Sequence, residues 1–331
     1  MDLTTRYLGL SLPSPVVASA SPLNRNLDTL RTLQDCGAGA VVLPSVFEEQ
    51  IEFEEDLLDD LVAQGTESFG EAQSFLPSQT AFAFDSTDHL MLTEKAARIL
   101  KIPVIASLNA MSRNGWVGYA KDLENAGAAA IELNIFYVPS DISIGGDEVE
   151  QRYLDIVGSV VSTVDVPVAV KIGPYFSSPG NFAARLSATG AKGLVLFNRF
   201  YQPDIDTSTL TLEPNIELSR SFELRLPLLW IGVLSGRVEA SLAATTGVWS
   251  ASDVVKYLLA GADVAMTTSS LLRYGPEHMQ KLVDGLTDWL KARNFTSSDA
   301  IRGMLSHANV ADPVAYERAN YISMLQGFVR P

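Results

Sequence analysis

The sequence predicts an α/β fold, a closed (β/α)8 or TIM barrel, on three observations. Short runs rich in Val, Ile and Ala recur eight times. Each is followed by a polar turn and a helix-like stretch, several of which end at a Gly-Ala pair. The length of 331 residues is ordinary for one barrel domain and long for most other single domains.

The predicted strands are 16–20 (VVASA), 40–45 (AVVLPS), 104–109 (VIASLN), 130–136 (AIELNIF) and 168–172 (VAVKI), then 193–198 (GLVLFN), 241–246 (SLAATT) and 263–268 (DVAMTT). Most are nearly continuous in apolar residues, as strands buried on both faces must be. Asn24 or Asn26 caps the first helix, which ends in CGAG at 36–39. Equivalent ends are NAGA at 125–128, ATGA at 188–191 and LAGA at 259–262. Glycine there supplies a left-handed cap, and alanine lets helix and strand approach closely. Ser250 and Asp253 form an S-x-x-D capping box for the seventh helix. The apolar stretch 228–236 (LLWIGVLSG) reads as the sixth helix, because eight strands are complete without it. No linker interrupts the pattern, so residues 1–331 are expected to form a single domain.

Two insertions follow strands two and six, on the face where barrels build function. Residues 46–86 hold an acidic stretch, EEQIEFEEDLLDDLVAQ, with Ile51, Phe53, Leu57, Leu58 and Leu61 at roughly helical spacing. Its carboxylates read first as a solvated helix face, with a cation site as the alternative. The second insertion spans 199–227.

Composition narrows the function classes. Hydrophobic residues make up 47% and charged residues 19%, which favours a large core over disorder. The net charge of -15 repels phosphate backbones and anionic lipid, so neither nucleic acid nor a membrane surface is an expected partner. Cys36 is the single cysteine, which excludes intramolecular disulfides and clusters held by several cysteines. The three histidines, His89, His278 and His307, lack metal-ligand spacing, and no metal is expected. With no apolar run long enough to span a bilayer and no targeting segment at MDLTTRY, a reducing cytoplasm is the expected location.

The ends of strands seven and eight carry the strongest local pattern. Thr245-Thr246-Gly247-Val248 leads into the capped helix, and Met266-Thr267-Thr268-Ser269-Ser270 leads into LLRYGP. In barrels these two loops offer backbone N–H groups and a helix N-terminus to a phosphate; otherwise they are ordinary tight βα turns. Lys171 ends an apolar strand in VAVKIGPYF. A lysine there either pairs with a carboxylate such as Glu132 or faces a polar ligand. In the second case its ammonium lies near N1 and O2 of a flavin and stabilises the anionic reduced ring. Asn134 and Asn198 end strands four and six and point amides at the mouth.

At these residues the chain resembles the class 1 dihydroorotate dehydrogenases, barrel enzymes that use FMN to oxidise dihydroorotate to orotate in pyrimidine biosynthesis. The resemblance runs through YLGLSLPSPVVASAS at 7–21, similar to the family's opening hairpin and first strand, and GAGAVVLPS at 37–45. It continues through ELN at 132–134, PVAVKIGPYF at 167–176, AKGLVLFN at 191–198 and the long stretch 244–277. It implies an N-terminal hairpin on the barrel. It also implies FMN held by Ala20, Ser45, Asn134, Lys171, Asn198, Thr246, Gly247, Thr268 and Ser269. It further implies a homodimer and an electron acceptor reached directly or through a partner protein.

The substrate side departs from the family. Its Lys-Ser pair after strand two is Pro44-Ser45 here, and its N-x-S-C-P-N loop is Asn134-Ile135-Phe136-Tyr137-Val138-Pro139. Tyr137 therefore stands at the position of the catalytic base. A phenol with a pKa of about 10 donates a proton more readily than it accepts one at neutral pH. Tyr137 is read either as lid packing or, with Lys171, as catalytic, and Ser140 and Ser143 are nearby alternatives. The pair after strand six is Asn198-Arg199. These residues point to an FMN-dependent oxidoreductase acting on a small molecule. The alternative is a flavin-binding interaction subunit without turnover, docked to an electron-transfer partner through the acidic insertion. An RNA-modifying flavin barrel fits the negative charge poorly.

Overall fold

Eight parallel strands close in chain order into one barrel in a computed structural model, which describes residues 1–48, 86–109, 117–199, 203–213 and 217–317. The barrel strands are β3 (Val16–Ala18), β4 (Val41–Phe47), β5 (Val104–Asn109), β6 (Ala130–Asn134), β7 (Val168–Ile172), β8 (Gly193–Leu196), β11 (Ser241–Ala244) and β12 (Val264–Thr267). Each matches a predicted run. The ladders are shorter than most of the runs, because residues such as Ala20, Asn198, Thr246 and Thr268 leave the hydrogen-bonded sheet to form the mouth.

Around the barrel lie α1 (Leu27–Asp35), α2 (Ser86–Ile99), α3 (Val117–Asn125), α4 (Gly146–Val161) and α5 (Pro179–Ala188). They are followed by α6 (Arg225–Leu234), α7 (Ala251–Ala260), the short α8 (Ser269–Tyr274) and α9 (His278–Ala292). Their apolar stripes, among them Leu30, Leu33, Ile156, Val160, Phe182, Leu186, Val254 and Leu286, bury against the outer barrel face. Full burial of such a side chain contributes about 1.5–3 kcal/mol. Asn26 caps α1 by accepting from the N–H groups of Asp28 and Thr29. Asn24 is instead fully buried and donates to the carbonyls of Ser19 and Val42. The Ser250–Asp253 capping box opens α7, and Gly261 closes it in the left-handed region at φ 114°. The stretch 228–236 lies mostly in α6, as predicted.

An antiparallel hairpin, β1 (Thr5–Tyr7) and β2 (Leu10–Leu12), plugs the N-terminal end. Tyr7, Leu8 and Leu12 pack with Val17, Ile105, Val195 and Met266 inside the barrel. Alanines at 130, 169 and 243 leave room there for the inserted ring and leucines. The insertion after β8 holds a second ribbon, β9 (Asp204–Asp206) with β10 (Thr211–Glu213). The acidic insertion after β4 falls almost wholly in residues 49–85, outside the described residues. Among the described residues no helix is long and apolar enough to cross a membrane.

One close backbone approach sets the entry to β4. The Gly39 N–H donates to the Val16 carbonyl at 2.8 Å, and a Cβ at Gly39 would fall on the Ser14 carbonyl. Gly39→Ala is expected to cost about 3 kcal/mol, the upper end of overpacking penalties, because the obstruction is backbone. Gly158 lies inside α4 with nothing within 4 Å of its Cβ position. Gly158→Ala is expected to stabilise by about 0.5–1 kcal/mol. Urea unfolding midpoints test both; equal midpoints for the two variants would refute the contrast.

Candidate active site

Period-two alternation along β6 and β7 sends Glu132, Asn134 and Lys171 inward at the C-terminal end of the barrel, with Lys171 in register with Asn134. The Lys171 ammonium lies 3.3 Å from Glu132 Oε1 and 3.5 Å from the Ser19 hydroxyl. Glu132 is fully buried, and the Lys171 side chain is 10% exposed. Both readings of the lysine therefore meet in one place: it is paired from below and faces a cavity above.

That cavity, of about 180 Å3, is lined by Ala20, Lys171, Asn198, Thr246, Gly247, Thr268 and Ser269. An adjoining hollow of about 220 Å3 shares Phe197, Asn198, Arg199 and Thr246 with it. Together they reach the lower part of the size range of small-molecule sites. Asn134 stands beside the cavity, its amide oxygen accepting from Asn198 Nδ2 at 2.7 Å. Ser45 is held one strand further round by the Ser107 hydroxyl at 2.7 Å and does not line the cavity. Tyr137 does not line it either. The Arg152 guanidinium lies over the Tyr137 ring at 4.4 Å from its centroid, and the ring packs against the core beside α4.

The far end of the cavity is made from the loops after β11 and β12. Thr246 and Gly247 both have positive φ, 79° and 76°. The turn is secured from beneath by Tyr257, whose hydroxyl donates to the Thr246 carbonyl at 2.6 Å. Burial, reinforced by the Asp253 charge, pushes that phenol well above its ordinary pKa, so it stays protonated. Asp253 Oδ2 accepts from the N–H groups of Trp249 and Ser250 and from the Ser250 hydroxyl, which closes the start of α7. The N-cap Thr268 makes no side-chain capping bond to α8, so among the described residues its first-turn N–H groups are open to an anion. The Thr267 hydroxyl ties the loops together by donating to the Val248 carbonyl at 2.9 Å.

Ser219, Ser19 and Arg199 line the same cavity and were not among the predicted ligand residues. Ser19 was within reach, since it shares the inward parity of Val17. Ser219 was not. Its hydroxyl meets Ser269 Oγ at 2.8 Å and Gly247 N at 3.4 Å, and its carbonyl accepts from Trp249 Nε1. All of these partners are distant in sequence. Arg199 pairs with Glu223 at 3.1 Å and donates to the Glu217 carbonyl, which fastens the returning insertion to the barrel rim.

A closed parallel barrel with a buried lysine at its mouth, opposite two hydroxyl-rich loops, has the layout of a barrel enzyme for an anionic ligand. Comparison with curated proteins is more specific. The chain is 29% identical over 215 residues to a protein assigned as dihydroorotate dehydrogenase A (fumarate) in Aeropyrum pernix, covering 62% of this chain and 69% of that one. It is 24% identical over 320 residues to the catalytic subunit of dihydroorotate dehydrogenase B (NAD(+)) of Thermoplasma volcanium, covering 92% and 98%. It is 22% identical over 350 residues to a subunit of the NAD-dependent dihydropyrimidine dehydrogenase of Escherichia coli, covering 93% and 77%. No protein-family model matches the chain. The chain is thus a homologue of the dihydroorotate and dihydropyrimidine dehydrogenases.

Proposed function

We propose that this chain is an FMN-dependent dehydrogenase acting on a CH–CH bond of a small pyrimidine-like substrate. The observation that carries the reading is the placement of Lys171 at one side of a cavity whose other end is the Thr246-Gly247 and Thr268-Ser269 loops. The donor set fits FMN: uncapped N–H groups and hydroxyls suit a phosphate, and an ammonium with an amide pair suits the edge of a heterocycle. When bound, FMN supplies acceptance of a hydride at N5. The chain's own residues bind and orient. The loops after β11 and β12 would hold the phosphate, Asn198 and Asn134 would offer amides to the ring, and Lys171 would supply positive charge that favours its reduced form.

On the substrate side Pro44 takes the place of a lysine, and Tyr137 is engaged with Arg152. In the proposed enzyme Tyr137 supports the loop after β6, and the proton that the substrate gives up on oxidation passes to Tyr137 or to Ser140 or Ser143 on that loop. Two of the homologues are named as subunits, which supports an electron-transferring protein partner.

Purified protein should retain about one FMN per chain, released by acid and identified by its absorbance. Anaerobic dihydroorotate should bleach it. Colourless protein that takes up no FMN sinks the proposal; bound FMN that other dihydropyrimidines bleach, and dihydroorotate does not, reassigns the substrate. A second expectation concerns Gly247, where a Cβ would meet Leu224 N at 2.8 Å with φ already positive. Gly247→Val should weaken FMN binding about tenfold or more, equivalent to at least ~1.4 kcal/mol, as measured by flavin fluorescence quenching. Unchanged affinity would remove the phosphate from this turn.

A further inference from the structure

Lys171 is only half of a buried pair, and the other half has no assigned task. Glu132 is 0% exposed on the strand next to Lys171, one inward position deeper than Asn134. Its Oε1 meets the ammonium at 3.3 Å, while Oε2 has no hydrogen-bond partner among the described residues. Tyr7, inserted from the hairpin into the same barrel interior, has a buried hydroxyl that also lacks a hydrogen-bond partner among the described residues. A carboxylate so weakly solvated by its surroundings is costly to keep. A buried ion pair generally stabilises a fold no better than apolar residues of the same volume. Stability therefore does not account for placing a full negative charge directly beneath the mouth.

We infer that Glu132 is a positioning residue that holds the Lys171 ammonium at the cavity wall and limits how much of its positive charge reaches a bound flavin. This rests on the FMN reading above. The geometry gives the effect a sign. Charge interactions in a site with little water are strong and little screened. With Glu132 present, the ammonium is shared between a carboxylate below and the ligand above. With Glu132 neutral, the whole cationic charge faces the ligand and favours added negative charge on the ring. Glu132 thus keeps the bound flavin harder to reduce than Lys171 alone would make it. Asn134, Asn198 and Ser19 cannot do this, since they carry no charge.

The test is a four-protein cycle: wild type, Glu132→Gln, Lys171→Met and the double variant, each reconstituted with FMN. FMN retention by the wild type is read first and tests the flavin reading alone. The inference is then read from the midpoint potential and from the affinity for sulfite, a nucleophile that adds to flavin N5 and leaves negative charge on the ring. Glu132→Gln should favour the reduced flavin about tenfold, ~30 mV for a two-electron couple, and tighten sulfite binding by a similar factor. In the Lys171→Met background the same substitution should change both by less than about twofold. Thermal midpoints of Glu132→Gln and the double variant confirm that isosteric replacement leaves the barrel folded. Wild-type potential and sulfite affinity in Glu132→Gln would overturn the inference. So would an equal shift in the presence and absence of Lys171, which would show that the charge of Glu132 acts on the ring without the lysine.

Discussion

Lys171→Met should cost about 3–5 kcal/mol of stability and abolish flavin reduction by substrate, whereas Glu132→Gln should cost about 1 kcal/mol or less. The asymmetry follows from where each charge can go. Removing the lysine strands a fully buried carboxylate whose second oxygen already lacks a partner, the situation in which breaking a buried pair is most expensive. Removing the glutamate leaves a lysine with a long flexible stem at the floor of an open cavity, where its head can reach water. The double variant, an amide beneath a thioether of similar volume, should recover most of the loss from Lys171→Met. Urea titrations of the four proteins check this by their midpoints at constant slope. Equal losses for the two single variants would mean that Lys171 is as confined as Glu132, and that the cavity above it closes in solution. Activity should separate from stability: the double variant folds, yet the charge beside the ring is gone and reduction by substrate should fall by a factor of about a hundred or more.

Much of this site could be read along the chain because its signals are local. A lysine closing an apolar strand had two destinations, Glu132 or a ligand, and the barrel supplies both, since β6 and β7 are neighbours in register. The Ser250–Asp253 box spans four residues and formed as written. Where partners lie far apart, local pattern failed. Asn24 and Asn26 were equal candidates for the cap of α1; the choice was made by the Val42 carbonyl, eighteen residues from Asn24, which draws that amide into the core. Ser219 sits in an irregular insertion, and only the closure of the barrel carries it to Ser269, fifty residues on. Tyr137 was placed by its rank in a motif, but its surroundings come from Arg152 on the next helix. The strand runs overshot the ladders because the same small and hydroxyl residues that suit a buried strand also suit the turns just beyond it.

Acid should unfold this protein earlier than its surface carboxylates alone would dictate, and His89 is the reason. The imidazole is fully buried on α2, with Nδ1 3.0 Å from the Tyr119 hydroxyl. Burial lowers its pKa from the ordinary 6.5 to about 4, against a smaller opposing pull from the Pro44 carbonyl. The folded pKa lies below the unfolded one, so as pH falls the unfolded chain takes up the proton first. Stability linked to this group is complete above about pH 7, declines as pH drops through 6.5, and is fully lost below about 4. The slope in that window is about 1.4 kcal/mol per pH unit, which makes the loss about 2 kcal/mol at pH 5. His89→Phe removes the titration while keeping a ring in the stack with Tyr119, whose hydroxyl still donates to the Ser86 carbonyl at 2.8 Å. The difference in unfolding free energy between wild type and His89→Phe should therefore move by about 2 kcal/mol between pH 7 and pH 5, in favour of the variant at acid pH. A difference that stays constant with pH would show that His89 titrates alike in both states, and one that moves the other way would show that it is charged in the folded protein. Because α2 packs on β4 next to Pro44 and Ser45, hydrogen exchange at pH 5 should quicken first in these two elements. Uniform exchange across the barrel would instead assign the acid sensitivity to the carboxylates.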